Sequence, residues 1–290
     1  MSGTDWQERM TRESAPAIRV EHRVRYLMAV PLIEAAPVWG DFGCGNGIAA
    51  AEALGGALPR RAVLVDAAAD ALAVAERELG GTGVETMQAD LASADDLARV
   101  REALLAGGAG GGCVTCFEVV EHLPTFLPLL ELLKELTAER GFTAVLSVPN
   151  DAFWSIENPF HATTWGEGAF EELIRLLPED HVVAHQVALQ GSMAVVPGGD
   201  GQPQRVEVPA PQAAVPTHFL VAFGERAQDL GRGADVAEAD LMEQRRWERQ
   251  RESDLAHLLA IQERLADYRA YIHELEGKLG LRPSGTDSTG

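Results

Sequence analysis

Short apolar runs alternate with amphipathic stretches along the first half of the chain. Runs at 38–42, 62–65, 84–88, 113–117 and 144–148 have the length of buried strands. Between them, segments 47–54, 70–79, 93–105 and 125–139 place apolar residues at helical spacing. This alternation predicts a parallel sheet with helices on both faces, joined by right-handed crossovers. Ahead of it, residues 5–36 predict one or two helices, with Ile18, Val24, Leu27, Met28 and Leu32 at roughly helical spacing. After Pro149 the rhythm changes. A loop at 150–165 leads to a helix at 167–177, a strand at 181–189, a Pro/Gly-rich stretch at 196–216 and a last strand at 218–223. Two late strands predict an antiparallel edge. The expected fold is α/β: a doubly wound, mostly parallel seven-stranded sheet.

From about residue 235 the pattern becomes charged and nearly free of Gly and Pro. Leu258, Leu265, Ile272 and Leu279 are seven apart, with Ile261, Tyr268 and Leu275 three residues after the first three. That is an a/d seam over about three heptads. It predicts a coiled coil through 255–279 that forms a homodimer or docks a partner protein; a long helix folded back on its own domain is the alternative. The expected organisation is therefore 1–36, helices capping the site; 37–226, the ligand-binding domain; 235–280, the C-terminal helix; and 281–290, a disordered tail.

Charge narrows the partners. The chain has 24 basic and 44 acidic residues, a net charge of −20. Such a surface repels polyphosphate and disfavours a nucleic-acid substrate. No stretch approaches the roughly 20 apolar residues of a membrane helix. A polar N-terminus and only three cysteines fit a cytoplasmic location. Cys113 and Cys116 have metal-site spacing, but they lie in an apolar run where residues three apart face opposite ways, and no second pair completes a zinc site.

The candidate chemistry starts at residues 41–47, DFGCGNG, after the first apolar run. Gly43, Gly45 and Gly47 allow a sharp turn and close approach of a ligand to the backbone. The loop sits at a strand's carboxyl end, where open α/β sheets bind ligands. A phosphate loop would need Gly-Lys-Ser/Thr, and a dinucleotide loop G-x-G-x-x-G; Gly47 comes one residue early. Asp66 ends the second run, 19 residues beyond Gly47, where a carboxylate can accept hydrogen bonds from both hydroxyls of a ribose.

The loop resembles the E/D-x-G-x-G-x-G motif of class I S-adenosylmethionine (SAM)-dependent methyltransferases. Three further segments strengthen the resemblance: Gln88-Ala89-Asp90-Leu91, Phe117-Glu118-Val119-Val120-Glu121-His122, and Ser147-Val148-Pro149-Asn150. The second is similar to the E-V-x-E-H segment of ubiquinone-type and related small-molecule O-methyltransferases. Residues 158–165, NPFHATTW, resemble an acceptor-lining loop of enzymes acting on sugars, quinones and natural products. The resemblance implies a Rossmann-like fold and SAM as cofactor, with S-adenosylhomocysteine as product. It implies cofactor contacts from Asp41, Gly43, Cys44, Gly45 and Gly47. Asp66, Ala67, Asp90, Leu91, Phe117 and Glu118 complete that set.

Methyl transfer to a hydroxyl needs orientation and loss of a proton, and histidine suits the second task. His161 on the acceptor loop is the stronger base candidate and His122 the other; a carboxylate acceptor would need no base. Arg23 and Tyr26 of the N-terminal helices, with Asn150, Trp154 and Trp165, are the expected contacts to a small acceptor. Glu118, Glu121, His122 and His161 together resemble the metal site of small-RNA 3′-end methyltransferases; the net charge argues against that reading, and no metal is expected. A scaffold that has lost catalysis and acts through its C-terminal helix is a third reading, opposed by the intact loop.

Overall fold

The computed structural model describes residues 15–108, 110–154, 160–187 and 215–232, with scattered positions from 261 to 279. Outside the described residues lie 1–14, Asn158 and Pro159 of the acceptor loop, the expected strand's 188–189, most of the 196–216 stretch, 235–260 and the tail. Two compact units are present, Met1–Ala239 and Asp240–Gly290.

The first unit opens with α1 (Ala15–Glu34), then β1 (Trp39–Phe42), α2 (Ile48–Leu54), β2 (Ala62–Asp66), α3 (Ala69–Leu79), β3 (Val84–Gln88), α4 (Ala94–Leu105) and β4 (Gly112–Phe117). After α5 (Leu127–Arg140) come β5 (Phe142–Pro149), a short α6 (Asp151–Trp154), α7 (Glu167–Arg175), β6 (Val182–Gln186) and β7 (His218–Gly224). The sheet has seven strands in the order β3-β2-β1-β4-β5-β7-β6. Strands β1 to β5 pair in parallel; β7 is antiparallel to both β5 and β6. This is the doubly wound, mostly parallel, Rossmann-like sheet the alternation predicts. The last strand inserts between β5 and β6, so β6 rather than β7 forms the edge.

The near-continuous apolar runs reflect burial on both faces. All eight residues of β5 are buried. One face packs Tyr26, Ala29 and Ile33 of α1, Ala50 and Leu54 of α2, and Leu72 and Leu79 of α3. The other packs α4, α5 and α7 through Leu97, Leu104, Leu129, Leu133, Phe170 and Leu173. Cys113 belongs to the first layer and Cys116 to the second; both thiols are buried and unbridged, as their three-residue spacing on a strand requires.

The order reverses between β1 and β4, which places a crevice beyond the carboxyl ends of those strands. The start of β7 and the end of β6 reach the same edge of the sheet, because β7 runs opposite to β5.

In the second unit, the described positions from 261 to 278 are helical. Ile261, Leu265, Tyr268, Ile272, Leu275 and Leu279 of the heptad seam are between 37% and 70% exposed. Among the described residues no helix is long and apolar enough to cross a membrane.

Candidate functional site

The glycine loop is stitched to the end of β2: the amides of Gly43 and Cys44 donate to the Val65 carbonyl at 2.8 and 3.0 Å. Gly43 has φ 72°, and a Cβ there would lie 2.3 Å from Cγ2 of Val119, so only glycine fits. Gly45 has φ 54° and open space where a side chain would be. Its amide donates to Oδ2 of Asp66 at 2.9 Å, and the Ala68 amide donates to Oδ1 at 2.8 Å. A carboxylate accepts at about four lone-pair positions, so Asp66 keeps capacity for a pair of ligand hydroxyls. Ala67 beside it is exposed.

Asp90 is exposed at the end of β3 and accepts from the Ala92 amide at 2.9 Å. Ser93, not Asp90, caps α4. Leu91 is buried in the core beneath.

Asp41 lies under the loop rather than on it. It is fully buried, and the hydroxyls of Tyr26 and Thr115 donate to its two oxygens at 2.9 and 2.7 Å. Trp39 Nε1 donates in turn to Thr115 Oγ1 at 2.8 Å. Burial pushes Asp41 up to about 7, against the pull of those two hydrogen bonds. Tyr26 is thus committed to the cofactor edge: its hydroxyl holds Asp41, and its ring meets Trp39 and Phe117 edge-on. The Cys44 thiol is buried beside it, and that burial raises its pKa.

The other half of the edge begins at Glu118, a non-glycine residue with φ 54°. Such a conformation costs of order 1 kcal/mol or more and persists only when its surroundings enforce it. Ser147 Oγ donates to Glu118 Oε1 at 2.8 Å, and His218 Nε2 lies 3.3 Å from Oε2. Burial alone would raise the Glu118 carboxyl, but the nearby Arg25 and His218 outweigh it and hold it well below the carboxylate range. Arg25 is 1% exposed; it donates to Gln186 Oε1 at 3.0 Å and meets His22 Nδ1 at 2.9 Å. Burial, then the Arg25 charge, push His22 down to about 3, so it is neutral and accepts from the guanidinium. Four strand ends and α1 are tied together here.

A 3₁₀ turn, Val120–His122, then delivers two more groups. The Glu121 carbonyl accepts from the amides of Ala162 and Thr163 at 2.7 and 3.2 Å, strapping the acceptor loop to the turn. Asp151 Oδ2 accepts from the Trp165 amide at 2.6 Å, and its Oδ1 lies 3.1 Å from His161 Nδ1. His122 Nδ1 lies 3.1 Å from the Phe160 carbonyl. The two imidazoles meet edge to face with centroids 5.1 Å apart. The Glu121 carboxylate is 0% exposed and has no hydrogen-bond partner on either oxygen. Burial, reinforced by Glu118, drives its pKa well above the ordinary carboxylate value.

The remaining acceptor candidates divide. Trp165 is a core residue packed on Phe126, although its Nε1 is buried without a partner. Asn150 Nδ2 donates to the Pro216 carbonyl at 2.8 Å, while its Oδ1 has no partner. Trp154 meets His218 edge-on. Arg23 is half-buried on α1. Sequence reasoning missed Arg25, His218, Gln186 and Asp151, which are brought together only by the order of β5, β7 and β6.

No family model matches the chain, and no curated protein matches it either. Among solved structures it is similar to the methyltransferase domain of bacterial CtHen1-C, at 18% identity over 71% of this chain and 98% of that one, with a TM-score of 0.44. A SAM-dependent methyltransferase from Archaeoglobus fulgidus aligns at 16% identity, 72% and 96% coverage and a TM-score of 0.48. The plantazolicin methyltransferase BpumL, in complex with S-adenosylhomocysteine, aligns at 13% identity, 77% and 92% coverage and a TM-score of 0.46.

Proposed function

We propose that this protein transfers a methyl group from SAM to an oxygen of a small-molecule acceptor, a hydroxyl of a sugar or specialised metabolite. The observation that carries the reading is the join between Gly45 and Asp66: an open, left-handed glycine whose amide meets a strand-end carboxylate at 2.9 Å. Such a join brings a backbone surface and a diol acceptor to one ligand.

SAM supplies an activated methyl group on a sulfonium whose departing sulfur needs no protonation. The chain's own tasks are then to orient the acceptor, exclude water and let the hydroxyl proton go. Orientation alone is worth on the order of 7–11 kcal/mol in favourable model systems. Loss of the proton falls to the Glu121–His122–His161 cluster, in which Asp151 fixes the His161 ring. The same edge carries buried polar atoms without partners, Asn150 Oδ1 and Trp165 Nε1, which suit an acceptor with several oxygens. The net charge of −20 favours such an acceptor over a polynucleotide.

The test is calorimetric titration of the full chain with S-adenosylhomocysteine, beside Asp66→Ala. Binding in the wild type, weakened at least ~10-fold in the variant, is expected from losing two charge-assisted hydrogen bonds. A wild-type chain that binds no S-adenosylhomocysteine would overturn the reading.

A further inference from the structure

A fully buried carboxylate with no hydrogen-bond partner is expensive, by several kcal/mol. Protonation does not remove the cost, because the acid O–H then lacks an acceptor. Glu121 is in that position on both oxygens, and two imidazoles stand against it. Ligand atoms from Glu121, His122 and His161 all lie within 4.8 Å of one another.

We propose that Glu121, His122 and His161 form a binding site for a first-row divalent transition ion such as Zn²⁺, Co²⁺ or Mn²⁺. The proposal deepens the acceptor-edge reading and rests on it for its role in the reaction. Three observations support it. Donors bound at about 2.0–2.2 Å to one ion stand up to about 4.3 Å apart, so the three side chains need close by only tenths of an ångström. Each imidazole has Nδ1 against an acceptor, the Asp151 carboxylate for His161 and the Phe160 carbonyl for His122. Such a partner makes Nδ1 the donor and puts the lone pair on Nε2, the arrangement that outer partners impose on metal-binding histidines. The site also grades from depth to surface: the side chains of Glu121, His161 and His122 are 1%, 12% and 33% exposed. An ion enters past His122.

The donor set selects the ion. Two imidazoles and one carboxylate suit first-row transition ions and leave coordination positions open, whereas Mg²⁺ and Ca²⁺ prefer oxygen throughout. Glu118 is outside the set, because Ser147 and His218 hold its carboxylate; the site has three protein ligands, not the four its sequence neighbourhood offers. A cation here lowers the pKa of a hydroxyl bound to it. Asp151 is then a positioning residue, acting through His161.

The experiment uses the purified full chain stripped with a chelator. Zn²⁺ is titrated by calorimetry, Co²⁺ by visible absorption, and Mg²⁺ serves as comparison. One Zn²⁺ or Co²⁺ per chain is expected, with micromolar or tighter affinity and far weaker Mg²⁺ binding. Glu121→Gln and His161→Gln should each lose at least ~30-fold in affinity and Asp151→Asn about 10-fold. His185→Gln, exposed on β6, should change nothing. S-adenosylhomocysteine affinity within about threefold of wild type shows that each variant is folded. Wild-type protein that binds S-adenosylhomocysteine but neither ion overturns this inference and leaves the methyl-transfer reading standing. Zn²⁺ binding indifferent to Glu121→Gln also overturns it, as does Mg²⁺ binding as tight as Zn²⁺. Ion binding without S-adenosylhomocysteine binding supports the site and overturns the methyl-transfer reading.

Discussion

The two halves of the crevice differ in how their polar groups are satisfied. At the ends of β1 and β2, each oxygen of Asp41 and of Asp66 has a donor within the protein. At the ends of β4 and β5, Glu121, Asn150 and the neighbouring Trp165 leave buried polar atoms without one. The first half is complete in itself and asks of a ligand only that it match a preformed surface. The second half holds desolvated groups whose cost is recovered only when something binds. A cofactor common to many reactions can use a surface of the first kind. An acceptor that must be chosen among similar molecules needs one of the second, since unpaired buried groups are what penalise the wrong partner.

Separating the halves by mutation is the direct way to break that contrast. The largest effect is expected from His161→Ala. Turnover with a hydroxyl acceptor should fall about 10²–10⁴-fold, while S-adenosylhomocysteine affinity stays within about threefold. Steady-state kinetics and calorimetry on one preparation decide it; equal losses in both would merge the two halves into one. Next comes Gly45→Val, which puts a β-branched residue at φ 54° and fills the space a ligand would use. S-adenosylhomocysteine affinity should drop about 100-fold, which is about 2.7 kcal/mol. The melting temperature should fall only slightly, because a side chain there meets nothing. Retained affinity would show that the loop is not where the cofactor lies.

The contrast also explains what could be read from the chain. The first half was legible because its parts are local. DFGCGNG and Asp66 each end an apolar run, and parallel pairing of β1 with β2 brings run ends together. The second half was legible only where a motif was short, as in Glu121-His122. Its partners come from far along the chain: Asp151 from α6, His218 from β7, Gln186 from β6 and Arg25 from α1. Their meeting depends on β7 inserting between β5 and β6, and no periodicity distinguishes that order from its alternatives. Tyr26 shows the opposite error. On the sequence it is an amphipathic helix residue free to face an acceptor; in the fold its hydroxyl is the donor that Asp41 requires.

The smallest effect tests whether the first half is truly self-contained. The pKa of Asp41 rises from 3.8 to about 7 on folding, chiefly because burial disfavours its charge. Between those values the native protein holds a proton that the unfolded chain has released. Stability contributed by this group is therefore full below pH 3.8 and is lost as pH rises towards 7. Asp41→Asn cannot titrate, and its Oδ1 can still accept from Tyr26. Between pH 5.5 and 7.0 the wild type should lose about 1–2 kcal/mol relative to the variant, a difference of a few degrees in melting temperature. Groups such as Glu118 titrate in both proteins and cancel in the difference. Parallel pH profiles for the two proteins would mean that Asp41 is ionised in the native state and that a cation, not Tyr26 and Thr115 alone, completes its surroundings. The first half would then share the unfinished character of the second.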